Sequence, residues 1–196
     1  MDFTSFKWLN ESEMAVKGDE VAIYAPAGTD YFNNPVPENG KLMKPQGDAP
    51  FYYTEVEGDF VAKAKVRPVF ETTYDAACIM VIQDENAWVK AAFEKSDFGT
   101  NAVVSVVTNR VSDDANGCNI EGDSVWLQIA RVGNNFAVHY SLDGQKYDMV
   151  RLFSLPVDNT VKVGLEAQCP TGKGGYRNFS GLSIEKKTIG NLRAGR

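Results

Sequence analysis

Apolar and polar residues alternate with a period of two along most of this chain, and Gly, Asn and Asp punctuate the runs. Half-buried strands produce that pattern, and helical spacing is nearly absent. Phe6 to Leu9 and Val21 to Tyr24 read as opening strands. The proline-rich stretch from Pro26 to Pro50, with Asn39-Gly40 inside it, predicts a long loop. Strands then follow at Phe51 to Val56 and Asp59 to Arg67. Ala76 to Ile82 and Ala87 to Glu94 flank the turn Asp84-Glu85-Asn86 and predict a hairpin with a three-residue loop. Ala102 to Thr108 is a valine-rich strand, and the polar stretch Ser112 to Asp123 predicts a second long loop. Val125 to Val132 and Phe136 to Leu142 form another hairpin; Asp143-Gly144 turns the chain into Tyr147 to Phe153. Val161 to Gln168 and Leu182 to Glu185 complete about twelve strands, as the alternation predicts. No linker or repeat divides them. The expectation is one β-sandwich domain over residues 1–196 with less than about 10% helix.

Composition narrows the setting. A chain of 196 residues can bury about 70% of its unfolded surface, enough to fold without disulfides or metal. A net charge of −6 argues against nucleic acid and anionic membranes as partners. The opening Met1-Asp2-Phe3-Thr4 has no basic segment ahead of an apolar run, so no signal peptide is expected. No stretch approaches the roughly 18 apolar residues of a spanning helix. Cys78, Cys118 and Cys169 are far apart and unpatterned, which predicts free thiols and a reducing, cytoplasmic setting.

Alternation also sorts candidate chemistry onto faces. Val89, Ala91 and Phe93 make an apolar face, opposed by Trp88, Lys90, Ala92 and Glu94. Val161, Val163, Leu165 and Ala167 are opposed by Gly164, Glu166 and Gln168. Trp126 and Gln128 oppose Leu127, Ile129 and Arg131, while His139 and Ser141 oppose Phe136, Val138 and Tyr140. If these strands are neighbours, their outer faces form one polar, aromatic surface. An indole covers the apolar face of a sugar ring, and amides and charged groups meet its hydroxyls. Ordinary solvated outer faces are the competing reading.

Several motifs, in order, resemble a family of unknown function, number 1349, also named after a regulation-of-enolase protein. They are Thr29-Asp30-Tyr31-Phe32, Asp48-Ala49-Pro50-Phe51, Gly58-Asp59-Phe60, and Tyr74-Asp75-Ala76-Ala77. Trp88-Val89-Lys90 with Glu94, Val107-Thr108 with Ser112-Asp113, and Ser141-Leu142-Asp143-Gly144 follow. Arg151, Val163-Gly164-Leu165 and Cys169-Pro170 complete a match spanning roughly residues 8 to 184. The resemblance implies an all-β, concanavalin A-like jelly-roll sandwich of two antiparallel sheets, one of them concave. It implies no settled reaction. Cys78 stands where that family often has Gly, and Asp114 where it often has an aromatic residue.

Glucanases of this fold carry acids at alternate positions of one strand, about 5 Å apart when retaining. Glu55, Glu57 and Asp59 alternate, but Gly58-Asp59 is a turn, which places them on a rim. Glu94 and Glu166 remain as a cross-strand pair. The lone His139 cannot build a histidine-based metal site, and Ser141 lies about 6–7 Å along the strand from it, too far for direct proton transfer. Asp30 and Asp113-Asp114 fall in predicted loops, where calcium ligation competes with turn capping. Ser141 to Gly144 with Tyr147 is similar to a structural hairpin motif of sialidase propellers.

No metal or cofactor is called for. The candidate ligand residues are Asp75, Trp88, Lys90, Glu94, Thr108, Trp126, Gln128, His139, Arg151, Glu166 and Gln168, with Arg131 as a further source of charge. One Lys and one Glu roughly cancel on the Trp88 strand, which favours a neutral polyol. A carbohydrate-binding module is the leading reading. A glycoside hydrolase with acids from different strands and a regulatory protein with a protein partner are the alternatives.

Overall fold

A computed structural model describes residues 3–36 and 44–196. Met1-Asp2 and the Asn39-Gly40 pair of the first predicted loop lie outside the described residues. Two seven-stranded antiparallel sheets stack face to face, in the manner of a jelly-roll sandwich. The first runs, in spatial order, β1 (Lys7–Leu9), β6 (Phe51–Glu57), β15 (Thr160–Gln168), β8 (Ala76–Asp84), β9 (Ala87–Lys95), β10 (Asn101–Asn109) and β11 (Val111–Asn119). The second runs β14 (Asp148–Ser154), β13 (Asn135–Ser141), β12 (Val125–Val132), β7 (Phe60–Pro68), β16 (Gly175–Lys186), β3 (Glu20–Ala25) and β2 (Met14–Lys17). A short ribbon pairs β4 (Tyr31–Phe32) with β5 (Gln46–Gly47). The described residues form helix at one 3₁₀ turn, Leu192–Ala194.

The alternating apolar faces meet between the sheets. Val89, Ala91 and Phe93 of β9 and Val163, Leu165 and Ala167 of β15 face Ala62 and Val66 of β7, Leu127 and Ile129 of β12, and Phe136 and Val138 of β13. Burial of these side chains, at roughly 1.5–3 kcal/mol each, drives the stacking.

Three expectations need correction. Ser112 to Asp123 is loop only from Ile120 on: Val111–Asn119 pairs along β10 as an edge strand. Its polar composition misled because an outermost strand, with few apolar neighbours, can carry Asp, Asn and Ser on both sides. Pro26 to Pro50 is not wholly loop, since it contains β4 and β5. The hairpin at Asp84 closes in two residues, Glu85 and Asn86, rather than three. The described strands number sixteen, because β2, β4, β5 and β11 join those expected.

Candidate functional site

Register across the first sheet arranges its outer face in rows. One runs Lys162, Ile82, Trp88, Thr108 and Ser112; the next runs Gly164, Met80, Lys90, Val106 and Asp114. The third runs Glu166, Cys78, Ala92 and Val104, and the fourth Gln168, Ala76, Glu94 and Ala102. Neighbouring rows lie two residues, about 6.8 Å, apart. Small residues between Lys90 and Glu94 let these long side chains lie over the sheet.

The chain from Thr29 to Asn33 crosses this face and is pinned at three points. Asp30 Oδ1 accepts from Lys90 Nζ at 2.8 Å. The Tyr31 ring meets Trp88 edge-on at 6.0 Å between centroids. The Asn33 amide N–H donates to Ser112 Oγ at 2.9 Å, which in turn bonds Thr108 Oγ1 at 2.8 Å. This cover creates a second apolar cluster of Tyr31, Phe51, Met80, Trp88 and their neighbours outside the inter-sheet core. Trp88 is consequently 1% exposed, buried under Tyr31 rather than open as a platform.

Beside the crossing segment lies a cleft of about 210 Å³. Phe32 and Tyr74 give it aromatic walls, Val106 its apolar floor, and Asp30, Glu94, Asp114, Lys90 and Gln168 its polar atoms. Tyr74 holds a left-handed backbone, φ 71°, unusual for a bulky residue. Its N–H donates to the Lys95 carbonyl at 2.7 Å and its carbonyl accepts from Gln168 Nε2 at 2.9 Å, which fixes that turn at the cleft's mouth.

Lys90 Nζ also donates to Gln168 Oε1 at 2.6 Å. Burial pulls the Lys90 pKa down, but Asp30, Glu166, Cys78 and Glu94 together outweigh it and hold the ammonium protonated. Burial pushes Glu94 up to about 8, against the pull of Lys90 and with the help of Asp114, Asp30 and Glu166. Glu166 is pushed up to about 7, again by burial first and against Lys90. Neither Glu166 oxygen has a nitrogen or oxygen hydrogen-bond partner, although the residue is fully buried; the Cys78 thiol beside it works against the shift. The cleft therefore offers a carboxyl that donates as well as accepts, an amide and two aromatic rings.

The other expected residues lie elsewhere. Asp75 is sealed in an ion pair: Oδ1 accepts from Arg177 Nη2 at 2.6 Å, and Oδ2 accepts the N–H groups of Glu71 and Thr72. Thr108 anchors the crossing segment through Ser112. Trp126, Gln128 and His139 are on the second sheet, so the expected single surface is in fact two faces on opposite sides of the sandwich. Trp126 lies between Gly144 and Gly181, both at positive φ, where an added Cβ would come within 2.8 and 2.6 Å of the indole. His139 and Gln128 are covered by the C-terminal turn: Gln128 Nε2 donates to the Gly195 carbonyl at 3.2 Å, and His139 Nε2 lies 3.4 Å from the Arg193 carbonyl. Burial lowers the His139 pKa and keeps the ring neutral.

Both arginines are committed to the scaffold. Arg151 Nη2 pairs with Asp113 at 2.7 Å, and Arg131 is held at a strand end by the carbonyls of Gly133, Asp158 and Asn159. Asp143 Oδ1 accepts from Ser141, Gln145 and Lys146, as a turn-setting aspartate does. All three cysteines are free. Among the described residues no group of three or more His, Cys, Asp or Glu side chains is placed to hold a metal, and no helix is long and apolar enough to cross a membrane.

Asp30, Phe32, Tyr74, Val106 and Asp114 line the cleft but stand outside the expected ligand residues. Phe32 and Tyr74 do stand in the matched motifs Thr29 to Phe32 and Tyr74 to Ala77, but no periodicity brings them to Lys90. Asp114 lies in the polar stretch whose composition predicts a loop.

Comparison with known proteins supplies relatives. The chain is 32% identical over 138 residues, 68% of each sequence, to Regulation of enolase protein 1 of Saccharomyces cerevisiae. The crystal structure of a functionally unknown protein from the same yeast superposes with a TM-score of 0.85 at 26% identity, covering 96% of this chain and all of that one. The carbohydrate-binding module CBM66 from Bacillus subtilis shares the fold, with a TM-score of 0.59 at 12% identity over 93% of this chain and 96% of the module. A family model described as protein of unknown function, DUF1349, matches residues 8–187. With its motifs, its two-sheet fold and its yeast relative all in agreement, this chain belongs to the DUF1349 family.

Proposed function

We propose that the protein binds a carbohydrate or small polyol in the cleft over Lys90 and Glu94. The observation that carries this is the lining: two aromatic walls, Phe32 and Tyr74, around an amide and several carboxyl groups. Aromatic faces suit the C–H surfaces of a polyol, and the polar groups suit its hydroxyls. The fold shared with a carbohydrate-binding module supports the reading. A cleft of about 210 Å³ suits a small ligand better than a protein segment. The yeast relative's name is the support for a protein partner. The free thiols support a cytoplasmic setting.

Calorimetric titration with a panel of neutral monosaccharides and alditols tests the reading. At least one member should bind with millimolar or tighter affinity, and Tyr74→Ala should weaken it roughly tenfold, the loss of about 1.4 kcal/mol. A panel without a single binder would overturn it.

A second reading follows from Glu94, which is held protonated at neutral pH and so is suited to general-acid work. A glycoside hydrolase would place that acid beside a second carboxylate, for which Glu166 is a candidate one row along and two strands across. Release of reducing sugar by the wild-type protein and none by Glu94→Gln would support it. Equal release by both would remove Glu94 from the reaction.

A further inference from the structure

Four carboxyl groups, those of Asp30, Glu94, Asp114 and Glu166, surround a single cation at this site. Lys90 is 2% exposed, and its ammonium is spent inside the wall on Asp30 Oδ1 and Gln168 Oε1. No other Lys or Arg among the described residues lines the cleft. The ion pairs of this region join Asp30 to Lys90 and Asp113 to Arg151, and leave Glu94 and Asp114 without a cation. Glu94 is 7% exposed and opens on the cleft, yet its hydrogen bond from Gln168 Nε2 is long, at 3.4 Å. Beneath, the two oxygens of Glu166 meet no nitrogen or oxygen donor, and the Cys78 thiol is the side chain that interacts with them. Buried carboxyl groups that lack a counter-charge are costly, and an incoming positive charge relieves that cost. Phe32 and Tyr74 line the cleft with two rings, and the π system of such a ring attracts cations.

We propose that the ligand of this cleft carries a protonated amine on a polyol or sugar frame. The frame rests on the polyol reading above; the charge rests on the acids and rings alone. An ammonium lying between Glu94 and Asp114 would favour the ionised form of Glu94, whose proton passes to solvent, and would pair with both carboxylates. A uronate or a phosphate would bring a further negative charge against the same groups and would be rejected.

Three six-carbon compounds differing only at the first carbon test this: D-glucamine with an ammonium, D-sorbitol with a hydroxyl, and D-gluconate with a carboxylate. Calorimetry at neutral pH should give glucamine an affinity about tenfold above sorbitol, with gluconate the weakest. Asp114→Asn, at an exposed position, and Glu94→Gln should each narrow the gap between glucamine and sorbitol. Melting curves would establish that the variants are folded, and the exposed Asp114→Asn keeps the test open if Glu94→Gln is not. Sorbitol binding as well as glucamine would overturn the charge inference and leave the polyol reading standing. Butylamine binding as tightly as glucamine would do the reverse. Tighter binding of gluconate, or a gap undiminished in both variants, would overturn the inference, and failure of all four compounds to bind would overturn both.

Discussion

Glu166 and Glu94 show what two buried side chains can impose on a protein. Both carboxyls are held above their ordinary range, to about 7 and about 8, so the folded state holds protons that the unfolded chain has already released. Stability from this source is complete below the ordinary carboxyl range and falls as pH rises toward the folded values. Burial is the main cause, and the facing groups Lys90, Asp30, Asp114, Cys78 and Arg177 adjust it. Urea midpoints should therefore decline between about pH 5 and pH 8 in the wild-type protein and decline less in Glu166→Gln. A midpoint that rises across that window would show that the carboxyls are ionised in the fold. Trp88 belongs to the same scale. Its indole is buried against Tyr31, so Trp88→Ala should cost about 3–5 kcal/mol by chemical denaturation. A cost within experimental error would mean the ring lies open.

At the scale of elements, the crossing segment decides what the outer face becomes. Its cover was readable in principle. Ala76 to Ile82 and Ala102 to Val107 are apolar with scant alternation, a pattern that belongs to strands buried on both sides. The faces of β9, β12, β13 and β15 were readable because alternation there is strict, and the core contains the residues it selects. What covers the outer face was not, because Asp30, Tyr31 and Asn33 reach Lys90, Trp88 and Ser112 across sequence separations that no local pattern encodes. The edge strand β11 was missed for a related reason: its polar sequence reflects its place at the margin of the sheet. Asn33 ties the segment to Ser112 and, through its amide, to the carbonyls of Glu85 and Arg110. Asn33→Ala should speed hydrogen exchange in peptides covering residues 29–33 while leaving β12 and β13 protected. Unchanged exchange would show that Asp30, Tyr31 and the backbone bonds of residue 33 to Ser112 hold the segment without the side-chain amide.

For the whole molecule, two sheets place two sets of candidate residues on opposite sides. Lys90, Glu94, Glu166 and Gln168 share the outer face of the first sheet, and Trp126, Gln128 and His139 occupy that of the second. Strand alternation identified each set correctly as pointing away from the core. It could not say which strands are neighbours, since pairing in a jelly roll joins segments far apart in sequence, as β6 joins β15. The free state of Cys78, Cys118 and Cys169 predicts three titratable thiols in the denatured, unreduced protein; a count of one would reveal a disulfide. The central claim is that the first sheet's cleft is where a ligand binds. Amide chemical-shift mapping during titration with D-glucamine tests it most directly. The account predicts shifts clustered at Asp30, Phe32, Tyr74, Glu94 and Asp114, with the second sheet silent. Shifts centred on Gln128, His139 and the C-terminal turn, or none anywhere, would contradict it.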